Sequence, residues 1–300
     1  MHYEIEVGVP YRLDLTVSVL RRLSANVVDV LTPQGQYVRA LAGFREPVLA
    51  RVTQERPGAL GVALEGDEGE HPRALALVRR MLGVDRDLAH FDRAAARIRW
   101  LRPLASRMRG VKPPRYPTLW EACVNAIVFQ QVSLHAASAI LRRLILEVGP
   151  PLACNGVALH AFPSVQRVQS AQDGVLAKAG LSAGKLATLR RVGDALMSGT
   201  LDEAMLEERT STDAAELLCG FKGIGPWTAT VILLRGLGRL DVFPMNDSSV
   251  VRNLAFIAGS APVDIERVLG ALAPQQGILY YHLLLARLEE RGEIGSASRY

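Results

Sequence analysis

The chain has 300 residues, of which 49% are hydrophobic, so it can bury a sizeable core and divide into two or three packed units. Its 35 Lys and Arg residues outnumber its 30 Asp and Glu residues, and the net charge of +5 suits a polyanion-binding protein as well as a slightly basic protein without such a partner. Its 3 cysteines are widely spaced, which argues against a cysteine-bound zinc or iron–sulfur centre and against a disulfide framework.

Residues 1–85 are predicted to form an antiparallel α+β domain. Apolar and polar side chains alternate over 11–19, which is the pattern of a half-buried strand. The Thr-Pro-Gln-Gly-Gln segment at 32–36 predicts a hairpin turn. Strands are therefore expected at 11–19, 26–31, 37–41, 48–53 and 59–64. The helical spacing of apolar residues over 71–82 predicts a helix that completes this domain.

The remaining residues, 86–300, are predicted to be helical. Three prolines exclude a helix over 110–117, and Thr118 with Glu121 forms a capping-box pattern in which the Glu121 side chain reaches back to Thr118. Helices are expected at 88–95, 101–108, 118 to 130 or beyond, 136–148, 164–171, 173–179, 183–197, 201–208, 212–219, 226–235, 248–258, 265–273 and 276–291.

The most informative segment is Leu-Cys-Gly-Phe-Lys-Gly-Ile-Gly-Pro-Trp-Thr-Ala at 218–229. It predicts a helix-hairpin-helix at about 212–235, with Pro226 at the first helical position. Gly223 and Gly225 allow the backbone to approach a ligand closely, Ile224 anchors the turn, and the amides of the next helix favour an anion such as a phosphate. An ordinary glycine-rich turn between packed helices is the other interpretation.

Asp247 follows an apolar segment that Pro244 interrupts, and it precedes a predicted helix. Its local pattern is that of an N-cap, which accepts backbone N–H bonds. A carboxylate in this position can also stabilise a developing sugar cation or orient an attacking water. The two roles are compatible.

Taken together, these motifs resemble those of the helix-hairpin-helix DNA glycosylases. The resemblance rests on Gly223-x-Gly225-x-Trp227-Thr228-Ala229, followed by Asp241-Val242-Phe243-Pro244 and Asp247. Segments 81–88, 110–114, 121–122 and 127–133 are similar to the DNA-3-methyladenine glycosylase II group. The similarity covers 80–290 well and 1–80 more loosely. It implies a mostly α protein with an N-terminal α+β domain and two helical subdomains around a cleft.

The resemblance also implies a mechanism. A flipped nucleotide would enter the cleft, and Asp247 would act as the catalytic carboxylate on its deoxyribose. The residues implied in DNA binding are Gly223, Ile224, Gly225, Thr228 and Lys222. A monovalent cation bridging hairpin carbonyls and a phosphate is compatible with the family, and no other cofactor or metal is expected.

Substrate preference is less closely defined. Bifunctional members carry a lysine where Trp227 stands, so we expect a monofunctional enzyme, and no cysteine follows Cys219 to hold an iron–sulfur cluster. Gln275 or Gln276 stands where the group usually has a pocket tryptophan. The candidate pocket residues are Trp227, Phe129, Gln130, Gln131, Ser133, Trp120 and Tyr280. Each of them also has a structural interpretation, as a core residue or a hydrogen-bonding residue of a helix–loop junction.

The expected activity is excision of alkylated purines of the 3-methyladenine type from double-stranded DNA during base excision repair. Two alternatives remain: a glycosylase for oxidised or deaminated bases, and a non-catalytic helix-hairpin-helix DNA-binding protein. A monomer without a membrane partner is expected. The N-terminus lacks the pattern of a signal peptide, so a cytoplasmic location is expected, associated with the nucleoid in a bacterium.

Overall fold

The structure is a computed structural model that describes residues 1–154, 157–245, 247–259 and 263–294. It is mostly helical, with a small antiparallel sheet near the N-terminus, as predicted. The helices are α1 Leu13–Arg21, α2 His71–Met81, α3 Ala89–Arg97, α4 Arg102–Arg107, α5 Leu119–Val128, α6 Leu134–Val148, α7 Val165–Ser170, α8 Asp173–Lys178, α9 Ala183–Met197, α10 Glu203–Glu207, α11 Ser211–Cys219, α12 Pro226–Ile232, α13 Ser248–Ala258, α14 Ile265–Leu272 and α15 Gly277–Glu290. The strands are β1 His2–Glu6, β2 Val30–Leu31, β3 Tyr37–Leu41, β4 Val48–Arg56, β5 Ala59–Glu65, β6 Pro151–Cys154 and β7 Val157–His160.

The main sheet is antiparallel with the order β1-β5-β4-β3-β2. In its centre, Val52 of β4 pairs with Tyr37 on one side and with Val62 on the other. The strands predicted at 37–41, 48–53 and 59–64 are confirmed. Strand β1, which was not predicted, pairs with β5 at the edge of the sheet.

The strand predicted at 11–19 is wrong, because this segment forms helix α1. Its apolar positions alternate, but the polar positions Thr16 and Ser18 between them are buried as well. A helix enclosed on most sides has no exposed stripe, so its sequence does not show the helical period. Tyr11, just before the helix, donates a 3.0 Å hydrogen bond to the carbonyl of Leu82.

The strand predicted at 26–31 is reduced to the two residues of β2. The side-chain Oδ1 of Asn26 accepts hydrogen bonds from the amides of Val28 (2.8 Å) and Asp29 (3.0 Å). These bonds close the backbone into a turn, which is a common role of asparagine at the start of a loop.

A second unpredicted feature is the β6–β7 hairpin within the helical part of the chain. Its Cys154 and Leu159 pack against Val38 and Leu49 of the main sheet. The other face of the sheet joins the large core, which contains Val62 together with helical residues. The hairpin therefore covers a sheet face that would otherwise be exposed.

The sheet and the helices also share one continuous hydrophobic core. It includes Val52 and Leu60 of the sheet as well as Ile127 and Leu189 of α5 and α9. The domain boundary predicted near residue 85 thus falls within a shared core, and a division of the chain at that point remains a prediction.

A buried arginine connects the two parts. The Arg39 guanidinium binds the Asp29 carboxylate and donates to both carboxylate oxygens of Glu121, at 2.8 and 2.6 Å. Thr118 accepts from the Glu121 amide, as the capping box predicts, but the Glu121 side chain binds Arg39 instead of returning to Thr118. That half of the predicted capping box is wrong.

The described helices are all too short or too polar to cross a membrane. Helix α5 ends at Val128, earlier than predicted, and Phe129 is its C-terminal cap. The helix predicted at 226–235 is α-helical only to Ile232 and continues as a π-helical turn over Leu233–Leu237. Turns of this kind are frequent at functional sites.

Candidate active site

The predicted hairpin joins α11 and α12. The Ile224 amide donates a 2.9 Å hydrogen bond to the carbonyl of Phe221, which closes the turn. The Ile224 side chain is buried in the core, whereas Gly223 is exposed. Because Pro226 begins α12, the first free amides of this helix lie beside the exposed turn. The turn is therefore anchored from within and presents its backbone outward.

The two glycines of the hairpin have different surroundings. Gly223 has a φ of 101°, and a Cβ atom there would lie 1.9 Å from Oγ1 of Thr188 on α9. A Cβ atom on Gly225 would have nothing within 4 Å. Gly223 is thus required by the fold itself, while Gly225 leaves the space in front of the helix open.

Basic and amide side chains surround the hairpin. Arg191 donates to the carbonyl of Lys222, and Lys222 itself is exposed. Gln130 donates 2.8 Å hydrogen bonds from Nε2 to the carbonyl of Gly223 and to Oγ1 of Thr228. This glutamine holds the hairpin against the end of α5, and the cationic side chains of Arg191 and Lys222 lie at the turn.

Asp247 lies in the segment before α13, and its side chain is 9% exposed. Its Oδ1 accepts from the amide of Val250 at 3.4 Å, which is the expected capping contact. Its Oδ2 accepts from the indole Nε1 of Trp227 at 2.9 Å. The carboxylate is therefore oriented from two sides, by its own helix and by the first turn of α12.

The structure brings some of the candidate pocket residues together. Arg22 stacks on Phe129 and lies close enough to Tyr280 and Asp247 for both to act on its charge, and Trp227 donates to Asp247. Trp120 is separate from them. It lies nine residues from Phe129 along α5, about 13 Å away at 1.5 Å per residue, and its indole donates to the carbonyl of Pro163 within the core.

The polar candidates lie at the rim or serve the local structure. Ser133 is exposed and caps α6 by accepting from the amide of Ala136 at 3.2 Å. Gln131 is exposed, with a left-handed φ of 54°. Thr228 is buried, and its hydroxyl accepts from Gln130, so its side chain faces the protein and not the outer surface of the hairpin.

Gln275 and Gln276 stand where the family resemblance implies an aromatic pocket residue. Gln275 accepts from the amide of Phe91 at 2.9 Å and donates to the carbonyl of Asp87 at 2.7 Å. Gln276 donates to the carbonyl of Asp241. Both glutamines hold neighbouring backbone segments and supply no aromatic surface.

Arg22 is the residue that the sequence analysis missed. It follows α1, its side chain is only 5% exposed, and its Cζ lies 3.7 Å from the centre of the Phe129 ring. Burial lowers the pKa of Arg22, and Arg235 lowers it further. Tyr280 and Asp247 are close enough to act on it in the opposite direction. The only sequence signal was a pair of arginines in an apolar segment.

Arg235 is a second buried cation near this site. It lies in the π-helical turn, its guanidinium stands 4.8 Å from the Tyr116 ring, and it donates to the carbonyl of Val19 in α1 at 2.7 Å. Helix ends from α1, α5, α12 and α13 thus meet around one carboxylate and two arginines.

The chain resembles known DNA repair proteins in sequence and in fold. No family model matches the chain. A probable bifunctional transcriptional activator and DNA repair enzyme of Mycobacterium tuberculosis is 32% identical over 177 residues, which is 58% of this chain. The chain spans only about a third of that relative, 34% of its length. DNA-3-methyladenine glycosylase 2 of Escherichia coli is 25% identical over 94% of this chain and 96% of its own length.

A solved structure extends the likeness to the whole fold. The 3-methyladenine DNA glycosylase of Archaeoglobus fulgidus superposes with a TM-score of 0.80 and 23% identity, over 96% of this chain and 98% of its own. The chain resembles DNA-3-methyladenine glycosylases in sequence and shares the fold of the helix-hairpin-helix DNA glycosylases. Its relatives confirm the predicted DNA-3-methyladenine glycosylase II group and the predicted fold class.

This likeness makes the hairpin and Asp247 the features to interpret chemically. In the described residues no cluster of three or more His, Cys, Asp or Glu side chains could hold a metal ion. The candidate site therefore combines a carboxylate held by an indole, an exposed hairpin, and an arginine stacked on Phe129.

Proposed function

We propose that this protein is a monofunctional DNA glycosylase that removes alkylated purines of the 3-methyladenine type from double-stranded DNA in base excision repair in the cytoplasm. The observation that carries the proposal is the hydrogen bond between Trp227 and Asp247. It couples a carboxylate to the helix that begins at the exposed hairpin. A DNA strand bound by the hairpin would therefore lie beside a fixed negative charge.

The hairpin is suited to binding the DNA backbone. The exposed Gly223 and the free amides at the start of α12 offer N–H donors, and Lys222 adds positive charge. Such contacts recognise phosphate and not sequence, which suits an enzyme that must act at any damaged position. Thr228 contributes through its backbone, and Ile224 contributes by anchoring the turn.

The chemistry needs a negative charge near the sugar. As the bond between C1′ and the base nitrogen breaks, its electron pair leaves with the base, and positive charge develops on the deoxyribose. Asp247 stabilises that charge. Water then adds to C1′ and loses a proton, which leaves an abasic site. A methylated purine is cationic in DNA and leaves as a neutral base, so it requires little acid assistance.

A lyase step is not part of the proposal. The resemblance places the lysine of bifunctional members at the position of Trp227, and the indole cannot form an imine with the sugar. Lys222 lies within the turn and is exposed on its outer side.

A monovalent cation at the hairpin belongs to the same proposal. The carbonyls of Lys222 and Gly223 already accept hydrogen bonds from Arg191 and Gln130. The Lys222 carbonyl also accepts from the Thr188 hydroxyl at 3.5 Å, whereas the Gly223 carbonyl keeps a second lone pair for a cation that also contacts a phosphate.

The test is incubation of the protein with methylated duplex DNA. We expect free 3-methyladenine or 7-methylguanine, identified by chromatography, and strands that break only after treatment with alkali. Strand cleavage through an intermediate that borohydride traps would contradict the monofunctional assignment. Binding of DNA without release of any base from a panel of lesions would instead support a non-catalytic DNA-binding protein.

A further inference from the structure

We propose that Arg22 is a base-recognition residue whose guanidinium donates hydrogen bonds to a carbonyl oxygen or ring nitrogen of an extruded, uncharged base. This inference rests on the proposed glycosylase function and assigns one residue of the site to the recognition of neutral lesions. It also makes Arg22 a determinant of the balance between neutral and cationic substrates.

The first support is the lack of hydrogen-bond partners. Arg22 is 5% exposed, and its side chain makes no hydrogen bond to any residue in the described ranges. One terminal nitrogen is completely buried without a partner. Guanidinium groups withdrawn from water are normally paired, because unpaired donors lose their hydration without compensation. An unpaired one beside a catalytic carboxylate is arranged for an acceptor that arrives with a ligand.

The second support is the position of the group. The guanidinium stacks on the Phe129 ring at 3.7 Å, and Phe129 directly precedes Gln130, which binds the hairpin carbonyl of Gly223. Stacking fixes the plane of the guanidinium and leaves its edges free for planar hydrogen bonding. A flat base entering beside Phe129 would meet that edge.

The third support is strain in the backbone of Arg22. Its φ of 60° and ψ of −74° place it at the centre of a γ-turn, in which the Leu23 amide donates to the Arg21 carbonyl at 2.8 Å. This conformation is rare for a residue with a side chain, and strained residues of this kind cluster at ligand-binding sites. The turn directs a long side chain inward from the end of α1.

The charges around Arg22 define the base that fits. Arg235 is a second buried cation, and its Nε and one terminal nitrogen also lack partners among the described residues. A cationic methylated purine would be repelled by two nearby guanidinium groups, while Asp247 attracts it. A neutral base with a carbonyl edge, such as hypoxanthine formed by deamination, gains hydrogen bonds without that repulsion.

The experiment compares two lesions in the same duplex, hypoxanthine and 7-methylguanine, under single-turnover conditions. For Arg22→Met we expect the rate on hypoxanthine to fall at least about 10-fold, while the rate on 7-methylguanine stays the same or rises. Arg21→Met is the matched control, because it removes the same charge from the neighbouring residue. The Arg21 side chain donates to the Glu293 carbonyl. This control should leave the ratio of the two rates unchanged.

Equal losses on both lesions would assign Arg22 a structural role and overturn the inference, as would unchanged rates on both. If the methionine variant does not fold, Arg22→Lys takes its place, because it keeps the buried charge. The lysine variant should also lower the ratio of the rate on hypoxanthine to the rate on 7-methylguanine, because lysine lacks the planar pair of donors.

Calorimetric titration with free hypoxanthine separates this inference from the proposed function. Binding that is lost in Arg22→Met but kept in Arg21→Met supports the role of Arg22 even if the protein releases no base from DNA. Equal binding to both variants overturns that role, whatever the activity of the protein on methylated DNA.

Discussion

The indole Nε1 of Trp227 donates a 2.9 Å hydrogen bond to Oδ2 of Asp247. The bond connects the second residue of α12 to the segment before α13, 20 residues later in the chain. A single side chain thus links the hairpin, which is proposed to bind DNA, to the carboxylate proposed for catalysis. Trp227 acts in this account as a positioning residue, because it holds Asp247 and does not itself react.

Trp227→Phe removes the N–H donor and keeps the aromatic surface. A hydrogen bond to a charged group contributes about 1.5–3 kcal/mol, so the rate of base release should fall roughly 10- to 100-fold. Binding to duplex DNA should change little, because the hairpin is intact. Single-turnover kinetics and a binding titration check the two parts. A phenylalanine variant with the original rate would show that the indole does not position Asp247.

The hairpin glycines offer a matched pair of substitutions. Gly223→Ala forces a left-handed residue against Thr188 and should lower the free energy of unfolding by more than about 2 kcal/mol. Gly225→Ala meets no protein atom and should fold normally. If DNA approaches the open side of the turn, the added methyl group should weaken DNA binding roughly 10-fold. Thermal unfolding and binding titrations at fixed salt concentration measure these effects. Unweakened DNA binding by a folded Gly225→Ala protein would argue against docking at this turn.

Arg39 is predicted to be essential for stability. Burial alone would lower its pKa, but Asp29 and Glu121 raise it well above the ordinary value. Arg39→Met leaves two buried carboxylates without their partner, which should cost about 3–5 kcal/mol in urea unfolding. The control is Arg56→Met. Arg56 pairs with Glu4 at 2.6 Å, the same separation as between Arg39 and Glu121, but this pair is mostly exposed. Its loss should therefore have little effect on the free energy of unfolding. Similar losses in the two variants would contradict the burial argument.

His282 should make the protein sensitive to acid. Burial lowers its pKa to about 4, although the hydrogen bond to the Ile278 carbonyl opposes the shift. The unfolded chain, with a pKa near 6.5, therefore binds the proton more readily, and stability falls as the pH drops from 6.5 towards 4. The full effect is about 3 kcal/mol. His282→Phe should remove this part of the pH dependence, as measured by urea unfolding at several pH values. Identical pH profiles for the two proteins would be inconsistent with a neutral buried histidine.

The hairpin could be predicted because its requirements are local. A left-handed residue needs glycine at 223, the first helical turn accepts proline at 226, and both requirements appear within a few residues of sequence. The position of Asp247 before a helix was equally clear from its local pattern. The family resemblance then placed these two elements in one site.

The parts that were missed depend on distant contacts. Helix α1 is buried on most sides, so the alternation in its sequence suggested a strand. The position of Arg22 in the site depends on its stacking on Phe129, which lies more than 100 residues later in the chain. Glu121 fits a capping box locally, yet its carboxylate is taken by Arg39 from the sheet. Long-range packing decides such cases, and a local pattern does not contain it.

The central claim is that the carboxylate of Asp247 stabilises the sugar cation. Asp247→Asn keeps an oxygen for the Val250 amide and changes the volume very little, so the variant should fold and bind duplex DNA as the original protein does. Release of 7-methylguanine from methylated duplex DNA should fall at least about 100-fold. A folded asparagine variant that releases the base at the original rate would contradict the account.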